Sequence, residues 1–289
     1  MNKVLKRSLG FALLVTIFGA MGCKKNSNEA APPGATKEIK LQANATLGNI
    51  LTDKDGRTLY FFSNDAKGEN SCTGGCEAVW PLFNIENLTG EKLGDGLALT
   101  DFSSINTASG KKQTTYKGWP LYYFAPTGGI TEAPGSTGGE GVHGSFFVAK
   151  PDYTVMIVNN QLVGNDGKNY LGTYTEGTGN TTYFTDGLGR TLYTFTRDSA
   201  NNNKFTKSDL SNNAVWPIYE TDKIVVPSIL DKSQFGSITV FGKKQLTFKG
   251  WPLYYFGQDG TTRGNNKGVS VPTPGTFPVP FQNIPAAPL

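Results

Sequence analysis

Histidine is almost missing from this chain: His143 is the only one among 289 residues, beside three cysteines and three methionines. A Ser–His–Asp system would have to use that one residue, which sits in the Gly-rich stretch GGEGVHGSFFVAK, and no Gly-x-Ser-x-Gly accompanies it. A lone loop histidine reads as a solvated side chain. Helical periodicity is equally scarce: outside the N-terminal segment no 3.6-residue apolar stripe runs beyond two turns. Gly138-Gly139-x-Gly141 is not followed by a helix, so it is no phosphate cradle and nothing suggests a nucleotide. An excess of one charge is missing too. The net charge of +4 falls to +1 once Lys3, Lys6 and Arg7 are set aside with the N-terminal segment. The folded part is near neutral, which removes the electrostatic argument for nucleic acid. These absences leave no cofactor, no metal centre and no catalytic set to predict, and the chain reads as a non-enzyme.

Long hydrophobic runs are confined to the start. Lys3, Lys6 and Arg7 precede an uncharged, mostly apolar run from Leu9 to Ala20, the length of a signal-peptide core and too short to span a bilayer. Ala20-Met21-Gly22-Cys23 follows and resembles a bacterial lipobox, with Ala20 where that pattern prefers Leu. The expectation is a signal peptide over 1–22, acylation of Cys23, and a lipid-anchored tether over 23–40, rich in Asn, Ala, Pro and Gly and unable to bury enough apolar surface to order itself. Lys24 is not the Asp that retains many lipoproteins at the inner membrane, so the outer membrane is the expected address by analogy. The membrane is then a partner through the N-terminal lipid. In an oxidising compartment the two remaining cysteines, Cys72 and Cys76 of SCTGGCEAVW, form a local disulfide by default. A metal pair is the alternative, but zinc wants four ligands and no second Cys pair or His lies nearby. No C-x-x-C-H for covalent haem is present.

What the chain does have is internal repetition. GKKQTTYKGWPLYYF (Gly110–Phe124) returns as GKKQLTFKGWPLYYF (Gly242–Phe256), GRTLYFFSND (Gly56–Asp65) as GRTLYTFTRD (Gly189–Asp198), and AVWP (Ala78–Pro81) as AVWP (Ala214–Pro217). The order is the same in both copies, so the chain is a tandem duplication. Repeat domain 1 is expected over 41–152, a connector over 153–167, and repeat domain 2 with a Pro-rich tail over 168–289. Gly-x-x-Leu-Tyr starts four times, at Gly56, Gly118, Gly189 and Gly250, giving two units per half. Each is a hairpin signature, with β-branched and aromatic runs flanking a Gly-containing turn. Period two puts Leu59 and Phe61 on one face and Tyr60 and Phe62 on the other, both apolar. The expected fold is all-β, sandwich- or barrel-like in each half, with long Gly/Asn-rich loops. The tail after Val269 is too rich in proline for a central strand, and packs as an extended edge or runs loose.

Taken in order, Leu-Tyr-x-Phe-x-x-Asp, Cys-x-x-x-Cys-x-x-x-Trp-Pro and Tyr-Lys-Gly-Trp-Pro-Leu-Tyr-Tyr-Phe resemble the bacterial secreted-repeat lipoproteins with a Tyr-x-[Phe/Trp/Tyr]-x-x-Asp motif. The motif stands here as Tyr60, Phe62, Asp65, as Tyr193, Phe195, Asp198, and as Tyr254, Phe256, Asp259. In the remaining unit Thr127 takes the place of the Asp after Tyr122 and Phe124. The second half also lacks the cysteine pair, with Ser208 and Asn212 at the matching distances from Trp216. The resemblance implies an envelope protein of unassigned biochemical function. Trp80, Trp119, Trp216 and Trp251, all followed by Pro, read as structural aromatics. The motif carboxylates are expected to accept backbone N–H bonds in the turns that follow them, with a bound cation as the alternative. Asp53-Lys54-Asp55-Gly56 has the start of a calcium loop but lacks its later carboxylates, and reads as a hairpin turn. Three function classes remain open: a binding or adhesion module for an envelope protein or glycan, a structural or stress-related envelope protein, and a redox or metal-handling protein.

Overall fold

The computed structural model describes residues 36–127 and 129–289; the signal segment 1–22, Cys23 and most of the 23–40 tether lie outside the described residues. In the first half the strands are β1 (Ile39–Asn44), β2 (Gly48–Asp53), β3 (Tyr60–Phe62), β4 (Phe102–Asn106), β5 (Lys112–Tyr116), β6 (Trp119–Pro120) and β7 (Phe146–Val148). In the second they are β8 (Met156–Val163), β9 (Asn169–Tyr170), β10 (Asn180–Thr185), β11 (Phe235–Val240), β12 (Lys243–Phe248) and β13 (Trp251–Pro252). One short α-helix, Gly75–Val79, is carried by the cysteine loop. All strand pairs are antiparallel, and among the described residues no sheet exceeds three strands: β1-β2, β3-β7, β4-β5-β6, β10-β8-β9 and β11-β12-β13. The all-β tandem-repeat architecture is therefore distributed over small sheets, each too narrow to hold itself together without the aromatic packing between them.

The repeated heptapeptide forms the end of a hairpin. Lys117 and Gly118 (φ 49° and 80°) join β5 to β6, and Lys249 and Gly250 (φ 49° and 82°) join β12 to β13. Positive φ at both central residues is the two-residue turn whose twist matches that of antiparallel strands, and glycine at the second position tolerates it without a Cβ clash. The pairs Tyr116↔Trp119 and Phe248↔Trp251 close the turns. Beyond the proline the chain alternates as period two requires. Leu59, Phe61 and Leu121 enter the main core, which runs through both halves. Tyr60, Phe62, Tyr122 and Phe124 face the other way, into a satellite core closed by Trp80 and Phe146. Both faces are covered, in line with the apolar character of both.

Two boundaries differ from the sequence reading. The first strand begins at Ile39, inside the segment expected as tether: Ile39 is fully buried, and its carbonyl accepts from Gly94 N. The segment 153–167, expected as a connector, is mostly β8, the central strand of its sheet, with Val155–Val158 buried. β8 and β10 are the second half's counterpart of the β1–β2 hairpin. The intervening stretch 164–179, absent from the first half, is what hides the match. The Pro-rich tail packs as an extended edge. Phe184 N, Thr194 N and Thr196 N donate to the carbonyls of Pro280, Pro278 and Thr276, as Leu51 N and Ser63 N donate to Ala149 and Ser145 beside β7. Pro278 and Pro280 have no N–H to return, so the tail does the work of β7 without becoming a regular strand.

Phe256 is 2 % exposed, between Trp216 and Tyr193, so Phe256→Ala is expected to lower stability by about 3–5 kcal/mol in urea unfolding. Unfolding should stay a single transition, because one core spans the two halves. The Cys72–Cys76 disulfide closes a short loop, with Cα atoms 5.2 Å apart. Replacing both cysteines by serine should cost only about 2 kcal/mol and leave the far-ultraviolet dichroism unchanged.

Candidate functional site

The motif residues meet in two crossed pairs per half. Tyr60 and Tyr122 sit opposite each other on adjacent strands, exchanging backbone bonds of 2.9 and 3.0 Å, as do Tyr193 and Tyr254 at 2.9 and 2.9 Å. Each tyrosine hydroxyl then crosses to the carboxylate that follows the other strand. Tyr122 donates to Asp65 Oδ2 at 2.5 Å and Tyr254 to Asp198 Oδ2 at 2.7 Å. Reciprocally, Tyr193 donates to Asp259 Oδ2 at 2.5 Å, and Tyr60 donates to Glu132 Oε1. Glu132 thus supplies the carboxylate missing at Thr127. It lies five residues further on, so no fixed motif spacing finds it. The departure at Thr127 is a displacement of the acidic partner, not its loss.

The carboxylates also brace the turns behind them. Asp65 accepts from Ser71 N (2.8 Å), Asp198 from Lys204 N (2.7 Å), Asp259 from Lys267 N (2.9 Å) and Glu132 from Gly138 N (2.8 Å). A cation is not needed to explain these residues: each carboxylate already holds a hydroxyl and a backbone N–H. Asp53 and Asp186 are likewise turn residues. Asp53 Oδ1 accepts from Asp55 N and Arg57 N, Asp186 Oδ1 from Leu188 N and Arg190 N, and Tyr123 and Tyr255 donate to their second oxygens at 3.0 and 2.9 Å.

Aromatic packing repeats with the same fidelity. Trp80 stacks on Phe146 with centroids 3.6 Å apart and Trp216 on Phe277 at 3.5 Å, while Tyr60 and Tyr193 meet those indoles edge-on. Gly139 and Gly268 lie so close that an added Cβ would sit 2.8 Å from a tyrosine ring carbon. Their N–H groups donate to Tyr60 Oη and Tyr193 Oη, each at 3.2 Å. Trp119 is fully buried, with its Nε1 donating to Gly187 O across the halves. Trp251 is half-buried and donates to Pro285 O. The cysteine pair has a non-covalent counterpart in the second half. Asn212 stands at the position of Cys76; its side chain donates to Phe205 O and accepts from Lys207 N, so the same loop is tied by hydrogen bonds. His143 is exposed in its loop.

One feature is not repeated. A cavity of about 250 Å³ lies where the halves meet, walled by Phe61, Tyr153, Tyr219 and Tyr255. Lys117 and Lys150 enter it from the first half, Asp186 and Arg190 from the second. Arg190 pairs with Asp186 at 2.7 Å and lies over the Tyr255 ring at 4.3 Å. Beside the cavity, the Arg263 guanidinium stacks on Trp119 at 4.4 Å and donates to Lys117 O and Leu188 O, binding a turn of one half to a turn of the other. Burial lowers the Arg263 pKa to about 10, so it stays charged at neutral pH. Nothing in the sequence marks Lys150 or Arg263, because their surroundings come from residues far apart in the chain.

Burial pushes Asp65, Asp198 and Asp259 up to about 6 against the hydrogen bonds they accept, because no cation faces them closely enough to offset desolvation. The same burial, aided by the neighbouring carboxylates, drives the tyrosine partners up, so the hydroxyls remain donors throughout the accessible range. A carboxyl with a raised folded-state pKa binds its proton more tightly folded than unfolded. Its contribution to stability is therefore greatest below the unfolded value of 3.8 and declines as pH rises to about 6. In thermal and urea unfolding, the advantage of the native protein over Asp259→Asn should shrink by on the order of 2 kcal/mol between pH 4 and pH 7. A gap that does not change with pH contradicts this assignment.

Among known proteins, a family model described as Lipoprotein_15, a secreted repeat of unknown function, matches residues 42–84 and 103–150. No curated protein and no solved structure matches the chain. The matched segments run from within β1 past Trp80 and Phe83, then from within β4 past β7. They include Tyr60, Asp65, the cysteine pair, the first GWPLYYF and Glu132. Two segments of the first half thus match a secreted repeat of unknown function, and the second half has the same crossed tyrosine–carboxylate pairs.

Proposed function

We propose that this is a lipid-anchored, non-catalytic binding module of the bacterial cell envelope, held through Cys23 at the outer membrane and contacting an envelope protein or glycan. The observation that carries the reading is how the polar motif groups are used. Each motif tyrosine and its carboxylate partner are joined to one another inside the protein, so they form a frame rather than a reacting set. What is left for recognition is the part that the duplication did not repeat, the cleft between the halves and its bordering loops. The redox or metal-handling reading is weakened because Cys72 and Cys76 are bonded to each other and the acidic groups already hold tyrosine hydroxyls.

A second reading, a structural or stress-related envelope protein, is favoured by one specific fact. Trp80, Trp119 and Trp216 and the motif tyrosines are buried, so the aromatics that could have formed a stacking platform for sugar rings do not reach the surface. A glycan contact would have to rely on polar loop groups.

Anchoring is tested by fractionating cells that produce Cys23→Ser. The variant is expected in the soluble envelope fraction, and a variant that is still processed and remains membrane-bound sinks the anchor. Recognition is tested by immobilising the whole chain and challenging it with its own envelope extract and with purified envelope glycan. Saturable retention that free protein displaces supports the module, whereas no retention of either leaves the structural reading.

A further inference from the structure

The cleft between the halves holds more positive charge than it neutralises. Of its three cations, Arg190 is paired with Asp186. Lys117 Nζ donates to the Pro151 carbonyl, and among the described residues it has no carboxylate partner. Lys150 Nζ stands 5.2 Å from the Tyr153 ring centre with neither a hydrogen bond nor an ion pair among the described residues. The acidic groups nearest Lys150 make their bonds to other groups, and Asp152 Oδ1 is buried without a hydrogen bond. Asp152 pairs with Lys223 at 3.0 Å, and Glu140 accepts from Val148 N at 2.6 Å and Ser228 N at 3.3 Å. Lys223 and Lys232 add positive charge from the second half. A half-buried ammonium without a counter-charge is costly, and here desolvation is the main force on Lys150, lowering its pKa.

The walls argue for the same kind of occupant. The tyrosine hydroxyls that could have hydrogen-bonded a neutral sugar are taken: Tyr219 by Thr154 O at 2.6 Å and Tyr255 by Asp186 and Arg190. What Phe61, Tyr153, Tyr219 and Tyr255 offer is mainly ring surface, against which the two lysines project positive charge in a low-dielectric setting. Arg263 fixes the geometry from outside the cavity by gripping Lys117 O and Leu188 O, one on each side of the junction. It acts as a positioning residue and is not a contact.

We propose that the inter-repeat cleft binds a small anion, a molecule bearing one phosphate or carboxylate beside a compact apolar part, with Lys150 and Lys117 receiving the anionic group. The volume of about 250 Å³ admits a small molecule or the end of a longer one. This assignment rests on the binding-module reading and names the ligand class for it.

The test is isothermal titration of the whole chain, purified in detergent, with inorganic phosphate in one arm and benzoate in the other. Saturable binding of at least one is expected, weakened about tenfold or more in Lys150→Gln and in Lys117→Gln, and largely recovered in Lys150→Arg. The arm that binds tells which headgroup the cleft takes. Unchanged melting temperatures would show that the variants are folded; if Lys117→Gln is not, Lys150→Gln and Lys150→Arg decide the matter alone. Absence of saturable binding in both arms overturns the proposal, as does binding that the lysine substitutions leave untouched. Retention of an envelope component by a chain that binds neither anion removes the cleft assignment and leaves the module reading in place. Anion binding without any envelope retention does the reverse.

Discussion

Two buried tyrosine hydroxyls in each half reach across a strand pair and donate to carboxylates carried by the opposite strand, and the rest of the fold is arranged around that exchange. Each link performs two tasks. It satisfies a phenol that has no access to water, and it holds an acidic residue whose other contacts tie down the following turn. Because the links are crossed, neither strand can shift register without unpairing two buried polar groups at once. A sheet of two or three short strands has little else to fix its register. The aromatic shell excludes water from the exchange, and glycine at residues 139 and 268 lets the backbone approach closely enough to add a second partner to the Tyr60 and Tyr193 oxygens.

The two halves show which features of this arrangement are physical requirements and which are particular solutions. A carboxylate must meet Tyr60, but it can be a glutamate from a later turn. The loop before the Trp-Pro corner must be tied, and a disulfide in one half is matched by an asparagine side chain in the other. An extended edge must cover the Trp indole and present a phenylalanine to it, which either a regular strand or a proline-rich tail can do. In each case the contact is kept while the residue that makes it changes.

The junction obeys different rules. Main-core packing joins the halves, Trp119 donates across the boundary to Gly187 O, and Arg263 is clamped between two turn carbonyls with its ring neighbour beneath it. The charged groups left over at that boundary are half-buried and incompletely paired, in contrast to the four buried exchanges. That asymmetry between the satisfied tyrosine–carboxylate exchanges and the incompletely paired junction is the physical ground for placing ligand chemistry at the junction rather than in the motif.

The sequence by itself determined a good deal. Local rules were enough for the all-β class, the duplication, the Lys-Gly hairpin turns, the alternation of Leu121 and Tyr122 between two cores, and the pairing of two nearby cysteines. These follow from backbone sterics and side-chain period, which act over a few residues. Tertiary structure alone decided that Tyr60 is partnered by Glu132, 72 residues away, and that Val155–Val158 is a central strand rather than a connector. It alone decided that the tail replaces β7, and that Lys117, Lys150 and Arg190 share one cavity. The reason is the same in each case: burial, counter-charge and hydrogen-bond partner are properties of a packed environment, assembled from segments whose separation along the chain carries no local signal.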